Sequence, residues 1–195
     1  MLTGKLEAPP NQWDGGNGAL MRMAPVALAT LGDSERLDCC AVEQAHLTHN
    51  HPLSDAACRC YGRMVHLAVS GRSKARLRRE VDTLIRDYPT YSFEPYRGLA
   101  TGYVVDTFQT VCHHFFRGRD FEDCVVATVN QGGDADTTGA IIGGLAGAFY
   151  GMERLPSRWL KKLDRVVVRE IIEISGKLVD LSPLGKQVNR LKTED

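Results

Sequence analysis

The segment Asn130-Gln131-Gly132-Gly133-Asp134-Ala135-Asp136-Thr137-Thr138-Gly139 sets two carboxylates two residues apart, followed at once by two hydroxyls. It lies where a glycine break feeds an apolar helical run. In such a turn Asp134, Asp136 and Thr137 can point into one small volume. Hard oxygen donors packed in this way suit Mg²⁺ or Mn²⁺. The glycines let the backbone approach a ligand closely, and the free N–H groups of a helix start favour an anion or a ligand oxygen. The same residues also make an ordinary helix start, with one Asp capping and another in the first turn. Spacing alone leaves capping and metal binding open. A calcium EF-hand is excluded, because the twelfth position counted from Asp134 is Leu145, where that loop needs a bidentate Glu.

Two other clusters carry chemistry. Thr48-His49-Asn50-His51-Pro52 puts two histidines at a helix break, suited to a metal, a phosphate or a ribose hydroxyl, or to plain capping. Zinc is a poor fit for His49, His51, Cys58 and Cys60. No C-x-x-C is present, and a C-x-C on a helix turns its thiols about 200° apart. Asp14-Gly15-Gly16-Asn17-Gly18 is a glycine-rich turn with an acid and an amide, able to cradle a ligand or to be a turn only. It is neither a Walker motif nor a dinucleotide fingerprint. His113 and His114 read as packing residues within a helix.

The elements that must hold these clusters read as helix after helix. Ala19 to Leu31 is apolar, with Pro25 at a kink or first turn. Ser34 opens a stretch to about His46. Ser54 or Asp55 can cap a helix reaching Val69, stopped by Gly71. Lys74 to Asp87 carries Leu77, Val81, Leu84 and Ile85 as one stripe. Tyr88 to Arg97 reads as a loop, Gly98 to Phe116 as a helix, and Asp120 caps the next through Val129. The helix from Asp134 to Tyr150 runs into a segment, Gly139 to Gly151, with five glycines, each unfavourable by about 1 kcal/mol against alanine in a helix interior. Close approach by neighbours is the compensating gain, so this helix is expected to be central. Its Gly139/Gly143/Gly147 spacing also fits a membrane-type helix pair, but the run is too short to span. An amphipathic helix from Pro156 to Leu178 closes the fold, and the polar tail of residues 182–195 is expected to fray. The whole is read as one all-α domain.

Composition narrows the function further. With 24 Lys+Arg against 24 Asp+Glu the 195-residue chain is formally neutral, which gives no general attraction for nucleic acid or an anionic membrane. Hydrophobic residues at 43% are too many for a disordered tail. No apolar stretch reaches the roughly 18 residues of a span, and residues 1–12 do not read as a secretory signal, so a cytoplasmic location is expected. The six cysteines are expected to be reduced and mostly buried.

In register, the stretches GGNGALMRMAPVALATLG, THNHPLSDAACRCYGRMVH, FEPYRG, VDTFQTV and TVNQGGDADTTGA, with LPSRWL behind them, resemble the ADP-ribosylglycohydrolases over about Asp14 to Arg169. The resemblance implies an all-α fold with a metal cleft holding two Mn²⁺ or Mg²⁺ ions. It implies hydrolysis of the N-glycosidic bond between ADP-ribose and a modified arginine. Carried over, Asp134, Asp136 and Thr137 are metal ligands, and Asp14, Asn17, His49 and Tyr103 contact ADP-ribose. The protein substrate implied is the iron protein of nitrogenase, with a PII-type signalling protein and reversible membrane association as regulatory partners. The family's first third, with a Thr-Asp-Asp metal motif and a catalytic Asp, has no counterpart before Gly15, so the acid or base of catalysis is not assigned and the domain is expected to be incomplete at its N-terminus. A module that binds ADP-ribose without cleaving it is the alternative.

Overall fold

A computed structural model describes residues 7–12 and 15–191, and among these the chain is all-α. The helices are α1 (Gly18–Met21), α2 (Met23–Ala29), α3 (Ser34–His46), α4 (Pro52–Val69), α5 (Lys74–Asp87), α6 (Val104–Arg117), α7 (Phe121–Asn130), α8 (Ala135–Tyr150), α9 (Ser157–Leu160), α10 (Arg165–Leu181) and α11 (Pro183–Leu191). The one β-type pairing among the described residues is an isolated antiparallel bridge, Gly16 to Tyr103.

Two helices form the centre. α4 packs against α2, α3, α5, α6 and α8, and α8 packs against α1, α4, α6 and α7. Tyr61, Met64, Phe108, Phe115, Ile141 and Ile142 are all but fully buried between them. The glycines of α8 do admit close neighbours, as expected, at Gly139 beside Val129 and at Gly144 beside Tyr61. Gly143 faces open space, whereas a Cβ at Gly144 would stand 2.6 Å from the Tyr61 hydroxyl oxygen. That hydroxyl donates to the Ile141 carbonyl at 2.9 Å, so α4 is pinned to the backbone of α8. Four free cysteines, Cys58, Cys60, Cys112 and Cys124, are buried in this core, while Cys39 is exposed. Burial raises the Cys58 thiol to about 12, which keeps it protonated and unreactive.

Local signals explain the starts of several of the longer helices. The side chains of Asp33, Ser73, Asp120 and Asp164 each accept a backbone N–H of the first turn. Several expectations are corrected. α4 is capped by His51, whose Nδ1 accepts from Leu53 N–H, with Pro52 in the first turn, and not by Ser54 or Asp55. The apolar run after Ala19 is broken at Arg22 into two helices, and Pro25 falls in the first turn of the second, one of the two places expected for it. The closing helix is split, because Asp164 caps a new helix after α9. The segment from Ser182, read as a polar tail, continues as α11, with Leu184 N–H donating to Leu31 O at 3.0 Å. Residues 192–195 lie outside the described residues.

The largest correction concerns residues 98–103, expected as the first turns of a helix. They are extended past the acidic turn, and α6 starts only at Val104. Their carbonyls are engaged by other segments, which no helix could allow. Gly98 O accepts from the Gln131 amide, Leu99 O from the Thr110 hydroxyl, Ala100 O from Asp134 N–H, Thr101 O from the Thr107 hydroxyl and Gly102 O from Asn17 N–H.

Candidate functional site

The acidic turn is built from the α7–α8 connection. Gly132 and Gly133 both take positive φ, at 79° and 64°, and they reverse the chain after α7. At Gly133 glycine is obligatory, because a Cβ there would lie 2.1 Å from Ala100 O. That close approach allows Asp134 N–H to donate to Ala100 O at 2.7 Å. The strap of residues 98–103 thereby fixes the start of α8.

Asp134 occupies the N-cap position of α8, yet its side chain makes no cap hydrogen bond. Its carboxylate instead accepts from the Asn17 amide, with Nδ2 to Oδ2 at 2.7 Å. The same Asn17 nitrogen donates to Thr107 Oγ1 at 2.8 Å, and that hydroxyl donates to Thr101 O at 2.9 Å. Asn17 is nearly buried, so its amide is held in one orientation. This bond is the chief reason the Asp134 carboxyl sits below the usual carboxylate range, opposed by partial burial. The Thr137 hydroxyl and the Asp136 carboxyl lie in reach and act in the same direction as Asn17. The Thr137 N–H contributes least and does not close a cap bond. Asp134, Asp136 and Thr137 therefore converge, with Asp136 exposed to solvent and the Thr137 hydroxyl 3.7 Å from Met21 Sδ.

The glycine turn at 15–18 stands beside this cluster. Asn17 N–H donates to Gly102 O at 2.9 Å, and Val104 N–H donates to Gly15 O at 2.8 Å. Tyr103 and His49 flank the turn. A Cβ at Gly15 would lie 2.9 Å from Tyr103 Cε2, and one at Gly18 would lie 2.8 Å from His49 Cε1. Both rings rest on bare backbone, and Tyr103 remains 41% exposed, open to an incoming ligand. His49 Nδ1 is hydrogen-bonded to Thr48 Oγ1 at 2.6 Å. Arg22 ties this corner together, donating to Gln44 Oε1, Gln44 O, Thr48 Oγ1 and Gly18 O. Asp14 lies outside the described residues.

The structure thus gathers Asn17, His49, Tyr103, Asp134, Asp136 and Thr137 around one surface. His51 serves as a helix cap. His113 stacks on Tyr96 at 3.9 Å between ring centroids and His114 meets the same ring edge-on at 5.7 Å, so both pack as expected. The strap residues Ala100, Thr101 and Gly102, together with Thr107, were not anticipated from the sequence. No signal in the residue pattern marked them, since the positive φ of Gly98 resides in the backbone.

The donor chemistry here fits a hard divalent cation, since two carboxylates and a hydroxyl converge on one side of a helix start. The count does not complete a shell. Among the described residues no three His, Cys, Asp or Glu side chains group closely enough to hold an ion by themselves. The remaining positions would fall to water, to ligand oxygens or to further polypeptide.

The described residues form an all-α domain in which an acidic turn lies next to a glycine turn flanked by a histidine and a tyrosine. The ADP-ribosylglycohydrolase family model matches residues 2–187, and the chain belongs to that family. It is 52% identical over 171 residues to the ADP-ribosyl-[dinitrogen reductase] glycohydrolase of Rhodospirillum rubrum, a match covering 88% of this chain and 58% of that protein. It is 28% identical to the ADP-ribosylarginine hydrolase Tri1 of Pseudomonas putida (strain GB-1), across 90% of this chain and 49% of that one. A solved ADP-ribosylglycohydrolase-related protein complex superposes with a TM-score of 0.76 at 31% identity, covering 88% of this chain and 62% of the other. The chain thus spans roughly half to three-fifths of the length of these relatives. Among the described residues no helix is long and apolar enough to cross a membrane.

Proposed function

We propose that this chain carries the ADP-ribose-facing half of a metal-assisted ADP-ribosylarginine glycohydrolase site, acting on an ADP-ribosylated protein of the nitrogenase iron-protein type. The observation that carries the reading is the Asp134 side chain. Every other Asp or Ser N-cap described above closes a bond to its own helix. Asp134 does not, and its carboxylate is turned to Asn17, Asp136 and Thr137. A carboxylate held ionised beside two more oxygen donors is a cation ligand in waiting.

In this reading Asp134, Asp136 and Thr137 hold Mn²⁺ or Mg²⁺. The metal, when bound, supplies Lewis acidity and a water of lowered pKa. Asn17 fixes the Asp134 carboxylate and keeps it deprotonated. Tyr103 and His49 offer ring faces and polar edges to the ribose and adenine side of the ligand. The two acidic side chains also place negative charge near an anomeric carbon that becomes cationic as the bond to arginine breaks. The general acid or base is not among these residues, so turnover requires groups from the rest of the family fold. Control by a PII-type signalling protein and reversible membrane association belong to the same reading and rest on the resemblance alone.

The test is hydrolysis of an ADP-ribosylarginine protein by the chain assembled with the remainder of the fold, in Mn²⁺ buffer. Release of ADP-ribose that is lost in Asn17→Leu and Asp134→Asn supports the proposal. Calorimetric binding of ADP-ribose without release in any assembly favours the non-cleaving module instead.

A further inference from the structure

α10 is the least covered long helix of the fold. None of its residues is buried, although it packs one side on α2 and on α11. Val168, Ser175 and Val179, all half-buried, mark that packed side, and Leu178 at its edge is half-buried as well. On another side stand Val167, Ile171, Ile174, Leu178 and Leu181, spaced 4-3-4-3. Val167, Ile171, Ile174 and Leu181 are each more than half exposed, at 51, 57, 57 and 61%. A 4-3-4-3 apolar stripe is the pattern by which one helix inserts side chains between those of another. Leu184, Val188 and Leu191 continue the exposed apolar surface on the adjoining α11. A patch of this size is unusual on a surface that stays in water.

The character of the helix selects the occupant. Along α10, Arg165, Arg169 and Lys177 are balanced by Glu170, Glu173 and Asp180, and α11 adds Lys186 and Arg190, so the joined surface carries a net charge of only +2, a weak draw to an anionic bilayer beside its apolar stripe of helix-pairing spacing. The match reaches only 58% of the Rhodospirillum rubrum protein and 62% of the solved relative, which leaves about two-fifths of each outside it. We infer that the exposed stripe of α10, continued on α11, is the docking surface for the helical remainder of the ADP-ribosylglycohydrolase fold. The partner is a helical polypeptide with a complementary apolar face, and its docking adds a second wall to the domain that carries the acidic turn.

The experiment co-expresses the 195-residue chain with an affinity-tagged segment comprising the part of the Rhodospirillum rubrum relative that this chain does not span. The expected result is co-purification as a 1:1 complex by light scattering. Ile171→Glu combined with Ile174→Glu should lower recovery of the chain at least tenfold. Arg79→Glu, on the exposed side of α5, should leave recovery unchanged. The altered positions face water, so circular dichroism of the isolated variant should retain the parent's cooperative melt. Failure to co-purify, or co-purification indifferent to the double substitution, overturns the inference. So does a homodimer of the chain, or sedimentation with anionic vesicles, that the same substitution abolishes.

Discussion

Replacing Gly133 by alanine examines the contact that aims the acidic turn, and its neighbour provides the internal control. Gly132 and Gly133 both have positive φ, so alanine at either position incurs the left-handed penalty of about 1–2 kcal/mol. They differ in surroundings. A Cβ at Gly132 meets nothing within 4 Å, whereas one at Gly133 would lie 2.1 Å from Ala100 O. Relief of that overlap must pull the turn from the strap and lengthen the Asp134 N–H to Ala100 O bond, now 2.7 Å. Losing a hydrogen bond of this kind removes about 1 kcal/mol, and more where the group stays dry. Gly133→Ala should therefore destabilise by roughly 2–4 kcal/mol and Gly132→Ala by roughly 1–2 kcal/mol. For a chain of this size that is a melting shift of roughly 6–12 °C against roughly 3–6 °C, read by calorimetry or circular dichroism. Equal shifts in the two variants would refute the close packing of residues 98–103 against the start of α8.

Two further outcomes follow from the same structure. Gly144→Ala should lower stability by about 1–3 kcal/mol through overpacking against the Tyr61 hydroxyl, and much of that loss should vanish in a Tyr61→Phe background; a double-mutant cycle with no coupling would contradict the contact. Burial is the first cause holding His66, His113 and His114 below the usual histidine range, so the unfolded chain binds more protons than the folded one below about pH 6.5. Their contribution is present above that value and is lost as pH falls, so urea midpoints should drop between pH 7.5 and 5.5, with a smaller drop in His66→Gln.

The helical class and several helix starts were legible because side chains near in sequence determine them. Ser73 and Asp120 cap within three residues, and the Leu77, Val81, Leu84 stripe is one face of one helix, whereas the start at Asp164 was hidden inside a longer amphipathic pattern. The gathering of the three clusters was legible only through the family resemblance, since Asn17 and Asp134 are 117 residues apart. The strap was not legible at all. Residues 98–103 are compatible with a helix locally, and they are extended because five carbonyls are engaged by Asn17, Thr107, Thr110, Gln131 and Asp134, a tertiary effect. The capping and metal readings of Asp134 likewise share one residue pattern. The direction of the carboxylate, set by the buried amide of Asn17, leaves no side-chain cap bond and so favours the proposed cation site.

Manganese titration of the chain by electron paramagnetic resonance, paired with thermal melts of the same samples, bears most directly on that distinction. Asp134→Asn keeps an oxygen for the Asn17 amide and removes the charge. The account predicts saturable Mn²⁺ binding that is lost in Asp134→Asn, while the metal-free melt moves by less than about 1 kcal/mol equivalent, the worth of one helix cap. Unchanged Mn²⁺ binding in Asp134→Asn, with Asp134→Ala losing a full cap's worth of stability, would reduce Asp134 to a helix start and contradict the account.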